Sequence, residues 1–125
     1  MLSDHDAIAT IAVKDLGRAR KFYEDTLGLE VEAGEEMGVL TCKSGDSKIF
    51  VYESEYAGTN QATAATWVVE EDVQEIARAL EAKGVAFEHY DFPDSTREGD
   101  VHVMGEIKAA WFKDPDGNIL SIVNG

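Results

Sequence analysis

Apolar positions along this chain follow two periods, and the pair of periods occurs twice in the same order. Residues 7–13 (AIATIAV) form an uncharged, β-prone run. After Lys14-Asp15 the spacing changes: Leu16, Ala19, Phe22, Tyr23 and Leu27 recur at three- and four-residue steps, which predicts one buried helix face. Asp15 suits the N-cap and Gly28 the position just past the C-cap. Residues 29–33 predict a second strand, and residues 39–43 and 48–53 predict a hairpin around Ser44-Gly45-Asp46-Ser47.

The second half repeats this order. Residues 64–69 (AATWVV) read as a strand, Asp72 as the next cap, Val73, Ile76, Ala77 and Leu80 as a helix face, and Gly84 as its stop. Cap and glycine lie 13 residues apart in the first copy (15 to 28) and 12 in the second (72 to 84). Residues 85–88, 107–113 and 118–123 complete the copy, with Asp114-Pro115-Asp116-Gly117 as a turn in which Pro presets φ and Gly tolerates the last position. The expectation is one α+β domain over residues 1–125, built from tandem βαβββ modules at about 7–54 and 64–124 and joined near 55–63. Each module would lay its helix on the outer face of a sheet. The two sheets together would form a cup with an open trough.

Composition narrows the function classes. The chain carries 25 Asp and Glu against 11 Lys and Arg, a formal charge of −14. Nucleic acid and anionic membrane surfaces would be repelled, whereas a cationic ligand would be attracted. Cys42 is the single cysteine, so no internal disulfide and no cysteine-based metal site can form, and its neighbours Val39 and Leu40 predict a buried structural thiol. The opening MLSDHDAIA lacks the pattern of a secretory signal, and no apolar run approaches the ~20 residues of a membrane span. A cytoplasmic protein is expected.

Two stretches, AVKDLGRARKFYEDTLGLEV and AAWFKDPDGNILSIV, resemble the two halves of the vicinal oxygen chelate superfamily. That superfamily includes glyoxalase I, extradiol dioxygenases, and the bleomycin- and fosfomycin-resistance proteins. Its enzymes bind a divalent metal through His, Gln or Glu at fixed strand positions. The resemblance places those positions on Ile8, Phe50 or Val51, Ala65 and Ser121. Ile, Phe, Val and Ala have no lone pair to donate, and a neutral Ser is a poor anchor alone. Glu53 is the one carboxylate that a register slip would bring to the fourth-strand position. The implied protein has no metal and no cofactor.

Strand alternation then assigns the trough. Ile8 and Ala65 as inward positions bring Thr10, Ala12, Trp67 and Val69 with them, and Ser121 brings Ile119 and Val123. By resemblance Trp111 also points inward, and Phe50 and Tyr52 join it if Ile49 and Val51 face the helix. His5 reads as a solvated tail residue. His89 and His102 bracket HYDFPDSTREGDVH, a polar segment without periodicity that reads as a loop or lid with surface histidines. The candidate ligand contacts are therefore Thr10, Phe50, Tyr52, Trp67, Trp111 and Ser121, with His102 reaching in from the lid; no catalytic residue is assigned. The expected function is metal-independent binding of a small aromatic or cationic molecule, by a homodimer, in the manner of the bleomycin-resistance proteins. The alternative is a glyoxalase-like lyase or dioxygenase with non-standard metal ligands or a metal-free catalytic residue.

Overall fold

The computed structural model describes residues 1–33 and 38–125, and the chain forms two compact units, Met1–Asn60 and Gln61–Gly125. In the first unit, β1 (Ala9–Val13) leads into α1 (Leu16–Arg20), followed by β2 (Glu30–Ala33), β3 (Val39–Ser44) and β4 (Ser47–Glu53). The sheet order is β1-β4-β3-β2, with β1 parallel to β4 and the other pairs antiparallel. Asp15 caps α1, its carboxylate accepting the Arg18 N–H at 3.1 Å. Past Arg20 the helix widens into a π-helical stretch, Lys21–Thr26, in which the Leu27 N–H reaches the Phe22 carbonyl at 2.9 Å. The predicted helix is thus present, but only its first five residues are α. Gly28 ends it at φ +78°, a backbone state that glycine enters without a Cβ penalty.

Leu16, Ala19 and Tyr23 turn inward from this helix, and Ile11, Val13, Leu40, Cys42, Ile49 and Val51 meet them from the sheet. Each large aliphatic side chain so buried contributes roughly 1.5–3 kcal/mol. Burial raises the Cys42 thiol pKa, and the nearby Glu24 adds to the effect, as expected of a structural thiol.

In the second unit, β5 (Thr63–Val68) precedes α2 (Val73–Ala82), and β6 (Phe87–Glu88), β7 (Thr96–Glu98), β8 (Val101–Met104), β9 (Ile107–Lys113) and β10 (Ile119–Val123) follow. The order is β5-β10-β9-β8-β7. β6 pairs with β9 at Phe112 and Trp111, beyond the stretch Ile107–Ala109 that pairs with β8. As in the first unit, the first and last strands of the copy run parallel. Asp72 makes no side-chain cap; a 3₁₀ turn, Glu70–Asp72, leads into α2 instead. The Asp114–Asn118 turn is tightly bonded. Asp114 Oδ1 accepts from the backbone of Asp116 (3.0 Å) and Asn118 (2.8 Å), and Oδ2 accepts from Asn118 Nδ2 (2.8 Å).

The segment expected to be loop between His89 and His102 holds the β7–β8 hairpin. Its two-residue turn is Gly99-Asp100, with Gly99 at φ +64°. The turn between β3 and β4 (Gly45-Asp46) and that between β8 and β9 (Gly105-Glu106) have the same build, with glycine at φ +57° and +62°. Positive φ at the first turn residue only is the type II′ pattern, whose twist matches that of paired strands. No helix among the described residues is long and apolar enough to cross a membrane.

Candidate functional site

Register decides which side chains share a face. In the first sheet Thr10 pairs with Phe50, Ala12 with Tyr52, Phe50 with Thr41 and Tyr52 with Val39. These residues lie opposite the fully buried Ile11, Val13 and Val51, so Thr10, Phe50 and Tyr52 share the face away from α1. Glu53 lies opposite Val13, and its carboxylate accepts the Leu16 N–H at 3.5 Å, at the start of α1. The register slip that would have turned Glu53 to the open face does not occur.

In the second sheet Ser121 pairs with Trp111 on β9 and with Thr66 on β5. The Thr66 and Ser121 hydroxyls share a 2.7 Å hydrogen bond. Continuing across, Ala109 pairs with His102, and the His102 and Trp111 rings meet edge to face at 5.1 Å. Thr66, Ser121, Trp111 and His102 therefore share one face. Trp67 lies on the other. It pairs with Ile122, and Ala65 pairs with Leu120, among the buried Ala110 and Phe112. The expectation that Trp67 and Ala65 share the Ser121 face is corrected by one residue, at a register shift between Ile119 and Leu120. Burial explains the direction. The indole displaces more water beside Leu120 and Ile122, while the Thr66 hydroxyl finds a partner in Ser121.

His102 is also corrected. It is no surface residue but is 1% exposed, because it lies on β8 with segment 89–92 folded over it. The Tyr90 N–H donates to His102 Nε2 at 2.9 Å. Accepting there leaves the proton of the neutral ring on Nδ1, which lies by Ala109 without completing a hydrogen bond. Burial lowers the His102 pKa, and the neighbouring His89 and Arg97 push in the same direction.

Two residues absent from the sequence expectation complete this face. The Tyr90 ring stands 5.4 Å from Trp111 and 6.0 Å from His102. The Phe92 ring stands 5.5 Å from Trp111 and 5.8 Å from His102. Their spacing in HYDF, with alternate residues aromatic, is the signal that would have found them. Behind them, His89 Nε2–H donates to Asp100 Oδ1 at 2.7 Å. Burial works to raise the Asp100 pKa, but hydrogen bonds from Glu81 and His89 outweigh it and the net shift is downward. The same contact raises the pKa of Glu81.

Metal-donor chemistry does not fit the positions implied by the family resemblance. Ile8, Phe50 or Val51 and Ala65 offer no donor atom, and the Ser121 hydroxyl is engaged by Thr66. His102 Nε2 is engaged by Tyr90. Among the described residues no group of three or more His, Cys, Asp or Glu side chains is placed to hold a metal ion. A recess of about 750 Å³ in the first unit, lined by Asp6, Ala7, Ile8, Asp46, Ser47 and Lys48, includes no aromatic ring.

Comparison with known proteins agrees with this architecture. FosX, the genomically encoded fosfomycin resistance protein of Listeria monocytogenes, superposes with a TM-score of 0.75 at 21% identity, over 100% of this chain and 93% of its own. A FosX variant from that organism, complexed with Mn(II) and 1S,2S-dihydroxypropylphosphonic acid, gives 0.73 at 20% identity, over 100% of this chain and 92% of its own. Integron cassette protein HFX_CASS4, from the Halifax Harbour sewage-outfall metagenome, gives 0.71 at 18% identity, over 95% and 98%. No curated protein sequence matches the chain. The family model for Glyoxalase/Bleomycin resistance protein/Dioxygenase matches residues 5–122. With nearly its whole length matched and a helix-backed mixed sheet in each half, this chain belongs to the Glyoxalase/Bleomycin resistance protein/Dioxygenase superfamily.

Proposed function

We propose that the protein binds a small aromatic, cationic molecule without a metal, on the Trp111 face of the second sheet. The observation that carries this reading is the Trp111 ring beside His102 and the Ser121–Thr66 hydroxyl pair, a face on which the Tyr90 and Phe92 rings already stack as aromatic groups. Aromatic walls with a few hydrogen-bonding groups suit a planar ligand, and an indole face attracts cations by about 0.5–2 kcal/mol. The charge of −14 favours the approach of a cation. On the first sheet, Thr10, Phe50 and Tyr52 offer a second face of the same chemistry.

Part of this reading is a cytoplasmic homodimer. Val68 near the end of β5 is 62% exposed, an apolar side chain that a second copy would cover. Light scattering on the purified protein gives the assembly directly.

A second reading, metal-free catalysis, draws on the His89–Asp100 pair. A carboxylate that orients an exposed imidazole is the arrangement of a general base. Tryptophan fluorescence titration against cationic aromatic compounds, followed by a search for new products, separates the two. Saturable binding with the compound recovered unchanged supports sequestration, and a product that disappears with His89→Asn establishes catalysis.

A further inference from the structure

The ring face assigned above to a ligand is already filled by the chain itself. Tyr90 and Phe92 approach Trp111 and His102 to within 5.4–6.0 Å, centroid to centroid. Phe92 is nonetheless 37% exposed, so this ring is not a core residue. The segment is short and held at few points. The Tyr90 N–H bonds His102 at 2.9 Å, the Ser95 hydroxyl donates to the Phe92 carbonyl at 2.6 Å, and His89 bonds Asp100 at 2.7 Å. Asp94 adopts φ +56°, a left-handed state that carries a small cost in a non-glycine residue.

We propose that segment 89–95 is a built-in plug: Tyr90 and Phe92 occupy the seat of the aromatic ligand, and the Tyr90 N–H to His102 Nε2 hydrogen bond is a latch that protonation of His102 opens. This rests on the ligand reading above and adds its regulation.

The chemistry of the latch follows from one lone pair. In the neutral ring, Nε2 accepts; a proton added there sets N–H against N–H, and the contact becomes repulsive. The charged and titratable groups that act on His102 are His89 and Tyr90 from the segment and Arg97 from β7. β9 sets Ala109 and Trp111 beside it and carries Lys113 further along the same face, where Lys113 pairs with Glu88 of β6 at 3.3 Å and both act on Tyr90. The carboxylates at hand are already engaged, Asp100 by His89 and Glu88 by Lys113, and neither bonds His102, so a proton on His102 is accommodated by opening. The His89–Asp100 hydrogen bond survives this step, because Nε2–H donates in either state of His89. His89 is thus the hinge, and Tyr90 and Phe92 are the parts that swing.

The test uses acrylamide quenching of Trp111 in a Trp67→Phe background, with far-UV circular dichroism to confirm folding. Quenching is expected to rise about threefold as pH falls from about 7.5 to about 5, across the range in which histidine titrates. His102→Gln, whose side-chain oxygen accepts from Tyr90 without titrating, is expected to abolish that rise. Phe92→Ala is expected to raise quenching at neutral pH and to tighten binding of 9-aminoacridine, a planar cation, about threefold. An equal pH step in His102→Gln, or unchanged quenching in Phe92→Ala, overturns the plug. Should His102→Gln not fold, imidazole ¹⁵N shifts of the wild type decide: Nδ1–H at neutral pH supports the latch, and Nε2–H overturns it. Failure of 9-aminoacridine to bind wild type or Phe92→Ala, with quenching as expected, sinks the ligand reading and leaves the plug standing. Equal binding to both does the reverse.

Discussion

Ser121 Oγ and Thr66 Oγ1 lie 2.7 Å apart on neighbouring parallel strands, each the hydrogen-bond partner of the other. Where the family resemblance puts a metal ligand, this chain has closed a hydroxyl pair. Ser121 is 2% exposed, so the pair is also part of the packing. Ser121→Ala leaves the exposed Thr66 hydroxyl free to turn to water, and urea denaturation should show a loss of about 1 kcal/mol, the net worth of one neutral hydrogen bond.

Asp114 is 5% exposed and accepts three hydrogen bonds in its turn. Removing the carboxylate strands those donors in the turn between β9 and β10, which carries Trp111 and Ser121. Asp114→Ala should cost roughly 2–4 kcal/mol in the same assay, about the range for several hydrogen bonds to a charged group. A loss below about 0.5 kcal/mol would mean the turn forms without them.

His102 gives the stability a defined pH dependence. Its folded pKa is lowered from 6.5, chiefly by burial. Between the folded and unfolded values the unfolded chain binds more protons, so stability rises with pH and is lost as pH falls below about 6.5. Urea midpoints should fall between about pH 7 and pH 5, more steeply in wild type than in His102→Gln. Equal slopes would place the titrating group elsewhere.

Much of this was legible in the sequence. The helix caps at Asp15 and Gly28, the Asp114–Gly117 turn and the alternation that turns Phe50 and Tyr52 away from Ile49 and Val51 were all readable locally. What failed was non-local. The face of Trp67 depends on how β5 pairs with β10, and one step of register reverses it. The β7–β8 hairpin was hidden because Thr96, Arg97 and Glu98 are all exposed and carry no apolar alternation. Its Gly99-Asp100 turn repeats the Gly45-Asp46 turn of the first half, which was the available clue. The burial of His102 follows from a chain crossing over it, which no local pattern records.

The two tryptophans make opposite predictions. Trp111 stands on the proposed ligand face, and Trp67 lies on the other, register partner of the buried Ile122. Trp111→Ala should weaken 9-aminoacridine binding about tenfold, within the range for loss of a stacking and cation–π partner, while Trp67→Phe leaves it unchanged. Added salt should lower the on-rate, as the negative field of the protein is screened.

The most direct measurement is the affinity of chelator-treated protein for 9-aminoacridine, by tryptophan fluorescence, with EDTA and then with excess Mn²⁺, Ni²⁺ or Zn²⁺. Metal-independent binding predicts saturation with EDTA present and the same Kd after metal addition. Binding that appears only with metal, at close to one ion bound per chain, would contradict the account.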